Sequence, residues 1–194
     1  MKRARKTPKK AAGAERKMRL PGDKSSSEKL ARMIRVDHAG EFGAQRIYAG
    51  QISVLGQGRI GEKLRHMARQ EDVHLSAFEK LIAEKGVRPT ALHPLWHLAG
   101  FALGAATASL GEKAAMACTV AVEEVIDEHY RKQLEELAGD EPALRRLIAK
   151  FRAEEIEHKH IGLEGGAEDL PYYPLLRALI RVGSQTAIWL SERI

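Results

Sequence analysis

At 194 residues, 44% hydrophobic, 30% charged and 5% aromatic, the chain suits one domain with a sizeable core, built from helix formers more than strand formers. Its net charge of +6 is concentrated in residues 1–24, where ten Lys/Arg face only Glu15 and Asp23; that segment has no aromatics for base stacking and no binding module follows it, which argues against nucleic acid as a partner. A single cysteine, Cys118, excludes an internal disulfide and suits a reducing compartment, with a buried structural thiol as the expected role.

Residues 1–27 read as a basic, disordered tail ahead of a domain over 28–194. Contact with an anionic membrane or a targeting role are the sharper readings of that tail, and it has no apolar run like a secretory signal. Ser27 stands where it could cap the first helix. That helix is expected over 28–55, with Ile34, Glu41, Tyr48 and Leu55 at heptad spacing and Ala44 and Ile52 beside them. A second is expected over 61–84, with the rows Leu64, Glu71, Phe78 and Met67, His74, Leu81, ended by Gly86 and Pro89. The apolar run 95–110 has 16 residues, fewer than the ~20 needed to span a bilayer, so a core or interfacial helix is expected. A helix over 112–137 carries Met116, Glu123, Tyr130 and Leu137 in one row. After a Gly139-Asp140-Glu141-Pro142 turn, a helix over 142–162 carries the rows Leu144, Phe151, His158 and Ile148, Glu155, Gly162. Gly165-Gly166 interrupts the chain, and an amphipathic helix over 174–193 closes it.

The halves repeat. Glu41 is followed thirty positions later by Glu71-x-x-His74, and Glu123 thirty-two positions later by Glu155-x-x-His158; Tyr48 and Tyr130 each lie seven after the lone Glu. Carboxylates on apolar stripes cost several kcal/mol each unless something compensates them. Glu and His at i and i+3 share a helix face. Two such pairs plus one Glu from each partner helix form the ligand set of ferritin-like di-iron and di-manganese bundles. Four carboxylates balance two divalent ions, and six protein ligands leave positions open for water or dioxygen; zinc would prefer more nitrogen or sulfur. The candidate ligands are therefore Glu41, Glu71, His74, Glu123, Glu155 and His158. Glu157 and His160 fall off the stripes, and Glu62, Glu124 and Glu128 are expected to be exposed or to support the ligands from outside. Gln70 and Glu154, each just before a Glu-x-x-His pair, are candidates to bond the outer ring nitrogens of the histidines or else are solvated. Tyr48 and Tyr130 are core or redox residues. The fold expected is all-α, a ferritin-like four-helix bundle with two extra apolar or amphipathic helices.

The segments MIRVDHAGEFGAQRIYAGQ (33–51), ACTVAVEE (117–124), FRAEEIEHKHIGL (151–163) and AIWLSERI (187–194) resemble the demethoxyubiquinone hydroxylase family of ubiquinone biosynthesis over about residues 30–194. Trp189 stands where a Tyr is usual, and His158-Lys159-His160 varies a common His-His; neither alters a candidate ligand. The resemblance implies a monooxygenase that uses O2 to hydroxylate the ring of a polyprenylated demethoxyubiquinol, with two Fe ions held by the same six residues. It further implies roles near the site for His129 and Tyr130, NADH as an electron source although no dinucleotide fingerprint is present, and homo-oligomers or complexes with other quinone-biosynthesis proteins. A substrate dissolved in lipid implies a peripheral membrane protein, on the cytoplasmic face of a bacterial inner membrane or the matrix face of a mitochondrial one. The 95–110 segment and the last helix could then form an apolar surface on the bilayer, with a channel between helices leading the ring inward. Another ferritin-like oxidase or catalase is the alternative with the same site.

Overall fold

The first helix begins at a capping box. Ser25 Oγ accepts from the Glu28 backbone N–H at 3.1 Å while Glu28 Oε2 accepts from the Ser25 N–H at 2.6 Å. Ser25 therefore takes the role expected of Ser27, because of the three consecutive serines only Ser25 has a glutamate three residues on. The computed structural model describes residues 25–137 and 141–194. The basic segment 1–24 and most of the Gly139-Asp140 turn lie outside the described residues. Within them are six helices and a short 3-10 turn at Ala167–Asp169: α1 Ser26–Leu55, α2 Gly58–Lys85, α3 His93–Ser109, α4 Glu112–Leu137, α5 Pro142–Glu164 and α6 Tyr173–Ser191. There is no strand among the described residues. Gly86, left-handed at φ 62°, closes α2 by donating its N–H to Ile82 O, and Pro142 opens α5 at its first position, where its missing N–H has no intrahelical partner to lose.

α1, α2, α4 and α5 form the bundle. The heptad rows stack as three layers. At one end Ile34, Phe78, Tyr130, Ile148 and Phe151 pack together; at the other, Tyr48, Leu64, Met67, Met116 and Val120 do so. The glutamates and histidines of the same rows lie one or two turns from either layer and so are forced into the middle.

α3 and α6 flank this bundle. α3 lies against α1 at near-backbone contact: a Cβ on Gly104 would sit 2.0 Å from Ile47 O, and one on Gly50 2.2 Å from Phe101 O. α6 is tied to α4 by Arg177 Nε and Arg181 Nη1, which donate to Glu124 Oε2 at 2.7 and 2.9 Å, and by Ile180 packed on Cys118, Ala121 and Val122. Trp96 Nε1 donates to Ser191 Oγ at 3.0 Å and joins α3 to α6. Cys118 is wholly buried, and burial pushes its thiol up to about 12, so it is an inert core group.

Candidate metal centre

The stripe residues Glu41, Glu71, His74, Glu123, Glu155 and His158 meet in the middle layer, each no more than 1% exposed. They form two overlapping groups. One ligand atom from each of Glu41, Glu71, His74 and Glu155 lies within 4.8 Å of the others, and the same holds for Glu71, Glu123, Glu155 and His158. Glu71 and Glu155 belong to both. Glu155 presents Oε1 to His74 Nδ1 at 3.0 Å and Oε2 to His158 Nδ1 at 3.1 Å. Glu71 presents Oε2 to His74 Nδ1 at 3.8 Å and Oε1 to His158 Nδ1 at 3.2 Å. Each of these two carboxylates thus spans the centre with one oxygen toward each histidine. Glu41 and Glu123 each stand at one side, 3.3 Å from His74 Nδ1 and 3.7 Å from His158 Nδ1 respectively.

Hydrogen bonding turns the same atoms toward the centre. His74 Nε2 lies 2.8 Å from Glu154 Oε2, and His158 Nε2 lies 2.9 Å from Gln70 Oε1. A carboxylate only accepts, and the amide oxygen accepts as well, so both rings carry a proton on Nε2 and turn Nδ1 toward the centre. Gln70 and Glu154 therefore occupy the outer ring nitrogens, each from the opposite hairpin. The tyrosines cross over too: Tyr48 on α1 donates to Glu123 Oε1 at 2.8 Å, and Tyr130 on α4 donates to Glu41 Oε1. What remains without a hydrogen-bond partner is informative. Both oxygens of Glu71 and of Glu155, Oε2 of Glu41 and of Glu123, and Nδ1 of both histidines are buried and unsatisfied. Buried polar atoms are ordinarily paired, and these eight converge on one volume. Two divalent cations fit that donor set in charge, and its oxygen-rich character suits iron or manganese better than zinc.

The electrostatics express the same frustration. Burial, with Glu155 alongside, pushes the Glu71 carboxyl well above the usual carboxylate range. Burial also raises Glu41 and brings Glu123 up to about 7. Burial acts in that direction on Glu155 as well, but the two histidines outweigh it and hold this carboxylate down to about 2. For His74, burial opposes the charged ring, yet Glu155 and Glu41 overcome it and lift the ring to about 11.

His129 and Tyr130 part company. Tyr130 touches Glu41, whereas His129 bonds the buried Asp37 and Gln133, its Nε2 3.3 Å from Asp37 Oδ1 and 2.9 Å from Gln133 Nε2. Gln133 Nε2 also donates to Asp37 Oδ1 at 2.7 Å. The sequence reading missed this buried Asp37–Gln133 pair, although Asp37 stands one helical turn before Glu41 on the same face. It also missed His38 Nδ1, 3.2 Å from His93 Nε2 and joining α1 to the start of α3. Glu62, Glu157 and His160 are exposed, as expected, and Glu124 and Glu128 face Arg177 and Arg181 on α6.

A cavity of about 590 Å³ opens between α1, α3, α4 and α6. Ala39, Gly43, Trp96, Val122, Leu176 and Gly183 are among its walls, and it comes within one residue of Glu41 through Gly40 and of Glu123 through Val122. Outside it, Leu95 and Leu98 on α3 and Leu175, Val182 and Trp189 on α6 are half or more exposed, as is Leu179 at its wall. No helix among the described residues is long and apolar enough to cross a membrane.

Residues 28–191 match the protein family described as ubiquinone biosynthesis protein COQ7. The 3-demethoxyubiquinol 3-hydroxylase of Rhodospirillum rubrum is 55% identical over 178 residues, covering 91% of this chain and 84% of that protein. The human NADPH-dependent 3-demethoxyubiquinone 3-hydroxylase, mitochondrial, is 51% identical over 176 residues, covering 89% and 81%. The 5-demethoxyubiquinone hydroxylase, mitochondrial, of Saccharomyces cerevisiae is 38% identical over 182 residues, covering 85% and 78%.

Proposed function

The chain belongs to the family of ubiquinone biosynthesis protein COQ7 and is a 3-demethoxyubiquinol hydroxylase; on that premise we propose that its reaction takes place at two iron ions held by Glu41, Glu71, His74, Glu123, Glu155 and His158. The observation that carries this reading is the convergence of eight buried, unsatisfied ligand atoms on one volume, in two groups that share Glu71 and Glu155. The iron pair would supply the activation of O2, which side chains cannot perform.

The protein's own residues do the rest. Glu154 and Gln70 hold both imidazoles in the tautomer that keeps Nδ1 available. The Tyr130 and Tyr48 hydroxyls hold their protons on Oε1 of Glu41 and of Glu123, which leaves Glu41 Oε2 facing His74 and Glu123 Oε2 buried without a partner. The aromatic and aliphatic layers above and below exclude water. The cavity between α1, α3, α4 and α6 receives the quinol, with the ring toward Gly40 and Val122 and the isoprenoid tail among the aliphatic walls. His129, partly exposed, bonds the buried Asp37 and lies 6.3 Å ring to ring from Tyr130.

The exposed apolar side chains of α3 and α6 support peripheral attachment to the membrane that dissolves the substrate. We place the protein on the cytoplasmic face of a bacterial inner membrane, with the matrix side of the mitochondrial one as the eukaryotic counterpart; the human and yeast relatives are named mitochondrial. The sequence reading expected NADH as reductant, whereas several relatives are named NADPH-dependent, and a reduced nicotinamide is the electron source in this proposal. Homo-oligomers and complexes with other quinone-biosynthesis proteins belong to it as well.

The deciding experiment couples metal analysis to turnover of a demethoxyubiquinol, with the product weighed by mass spectrometry. Two irons per chain and a product heavier by one oxygen atom are expected. Glu155→Ala and His158→Ala should each abolish hydroxylation and lower iron content while helicity stays near that of the parent. Full activity in either variant would refute the site.

A further inference from the structure

Glu154 and Gln70 break the twofold pattern of the centre. Each precedes the Glu of a Glu-x-x-His pair, and each reaches across to the outer ring nitrogen of the other hairpin's histidine, at 2.8 and 2.9 Å. The ligand set matches from side to side: one terminal glutamate, one tyrosine donating to it, one Nδ1 and one oxygen from each shared carboxylate, while Phe151 lies 3.9 Å from the His74 ring and Tyr48 6.0 Å from that of His158. As acceptors, Glu154 and Gln70 set the same tautomer. They differ in charge.

A carboxylate draws the Nε2 proton toward itself far more strongly than an amide oxygen does, and the electron density left on the ring makes Nδ1 a better donor to a cation. It also places a negative charge one ring away from the ion. Lys150 Nζ, 3.6 Å from Glu154 Oε1, and the 25% exposure of the Glu154 side chain soften that charge without removing it. Gln70 offers His158 the hydrogen bond alone.

We propose that the two cation positions are unequal, with the Glu41–His74 position binding its ion more tightly than the Glu123–His158 position because Glu154 is a carboxylate where Gln70 is an amide. This rests on the six-ligand reading given above. Changes in such outer partners typically alter metal affinity 10–100-fold, and the partial exposure of Glu154 puts the difference near the low end, about tenfold. Glu154 and Gln70 are positioning residues, acting through the rings and not on the ions.

The test titrates the full-length, metal-stripped protein with Co2+, reading the visible absorption of the bound ion and the heat of binding. Two steps about tenfold apart in affinity are expected for the parent chain. Glu154→Gln keeps an acceptor at His74 but removes the charge, and should bring the two steps together by weakening the first. Gln70→Glu should bring them together by tightening the second. His158→Ala should leave one tight equivalent, and His74→Ala one weak equivalent. Two equal steps in the parent would overturn the proposal and leave the six-ligand reading standing, as would Glu154→Gln weakening both steps alike. A parent chain that takes up no Co2+ would overturn both.

Discussion

Without a cation, four carboxylates and two imidazoles in one buried layer can relieve their repulsion only by taking up protons. Burial raises Glu71 and Glu41, and Glu123 at about 7 and His74 at about 11 hold protons near neutral pH that a divalent ion must displace. Metal loading should therefore release protons, and it should tighten as pH rises from 6 to 8. Glu155, held down to about 2, contributes no proton to that release. Calorimetry in two buffers of different ionisation enthalpy measures it; a proton count of zero would contradict the electrostatics described here. The tyrosines make a second residue-scale case. Tyr130→Phe leaves Glu41 Oε1 buried without its donor, at a cost of about 1–3 kcal/mol. Thermal unfolding should fall by several degrees for a chain of this size, and an unchanged midpoint would show that Glu41 finds another partner.

At the scale of the helix, glycines that look alike in the sequence do opposite things. Gly100 and Gly104 on α3 and Gly50 on α1 let two backbones touch; a Cβ on Gly104 has Ile47 O only 2.0 Å away. Gly104→Val should force α3 off α1 and destabilise the protein by several kcal/mol, seen as a lowered denaturant midpoint. Gly43 lies in the middle of α1, lines the cavity, and would carry a Cβ with nothing within 4 Å. A helical glycine with no steric duty costs about 1 kcal/mol relative to alanine. Gly43→Ala should thus raise stability by about that amount, whereas Gly43→Leu should fill part of the cavity and raise KM for the quinol with iron content unchanged. A KM equal to the parent's in the Leu variant would remove the cavity from the substrate path. Helix extents were legible from periodicity to within three residues. The two-residue shift at the start of α1 follows from the capping box, which pairs Ser25 with Glu28 and lengthens the helix toward its start.

At the scale of the whole molecule, the bundle buries charge at its centre and α3 and α6 expose apolar side chains at its flank. Co-sedimentation with liposomes should show binding, and replacing Leu98, Leu179 and Trp189 by Glu should weaken it severalfold; an absence of binding to both neutral and anionic vesicles would sink the peripheral-membrane reading. The six candidate ligands, the all-α class and the two-hairpin organisation were readable before any coordinates, because an ionisable residue on an apolar heptad row must be compensated and because the pattern occurs twice. Cavity, α3 docking and the Asp37–Gln133 pair were not, since each depends on which helix lies beside which. The same limit applies within the centre. Periodicity assigns each side chain to a face of its own helix, and so it nominated Glu71, Glu155, Gln70 and Glu154. Only the packing of α2 against α5 decided that Glu71 and Glu155 each face both histidines, and that Glu154 reaches His74 while Gln70 reaches His158, because relative height and crossing between helices are set by contacts far apart in the chain.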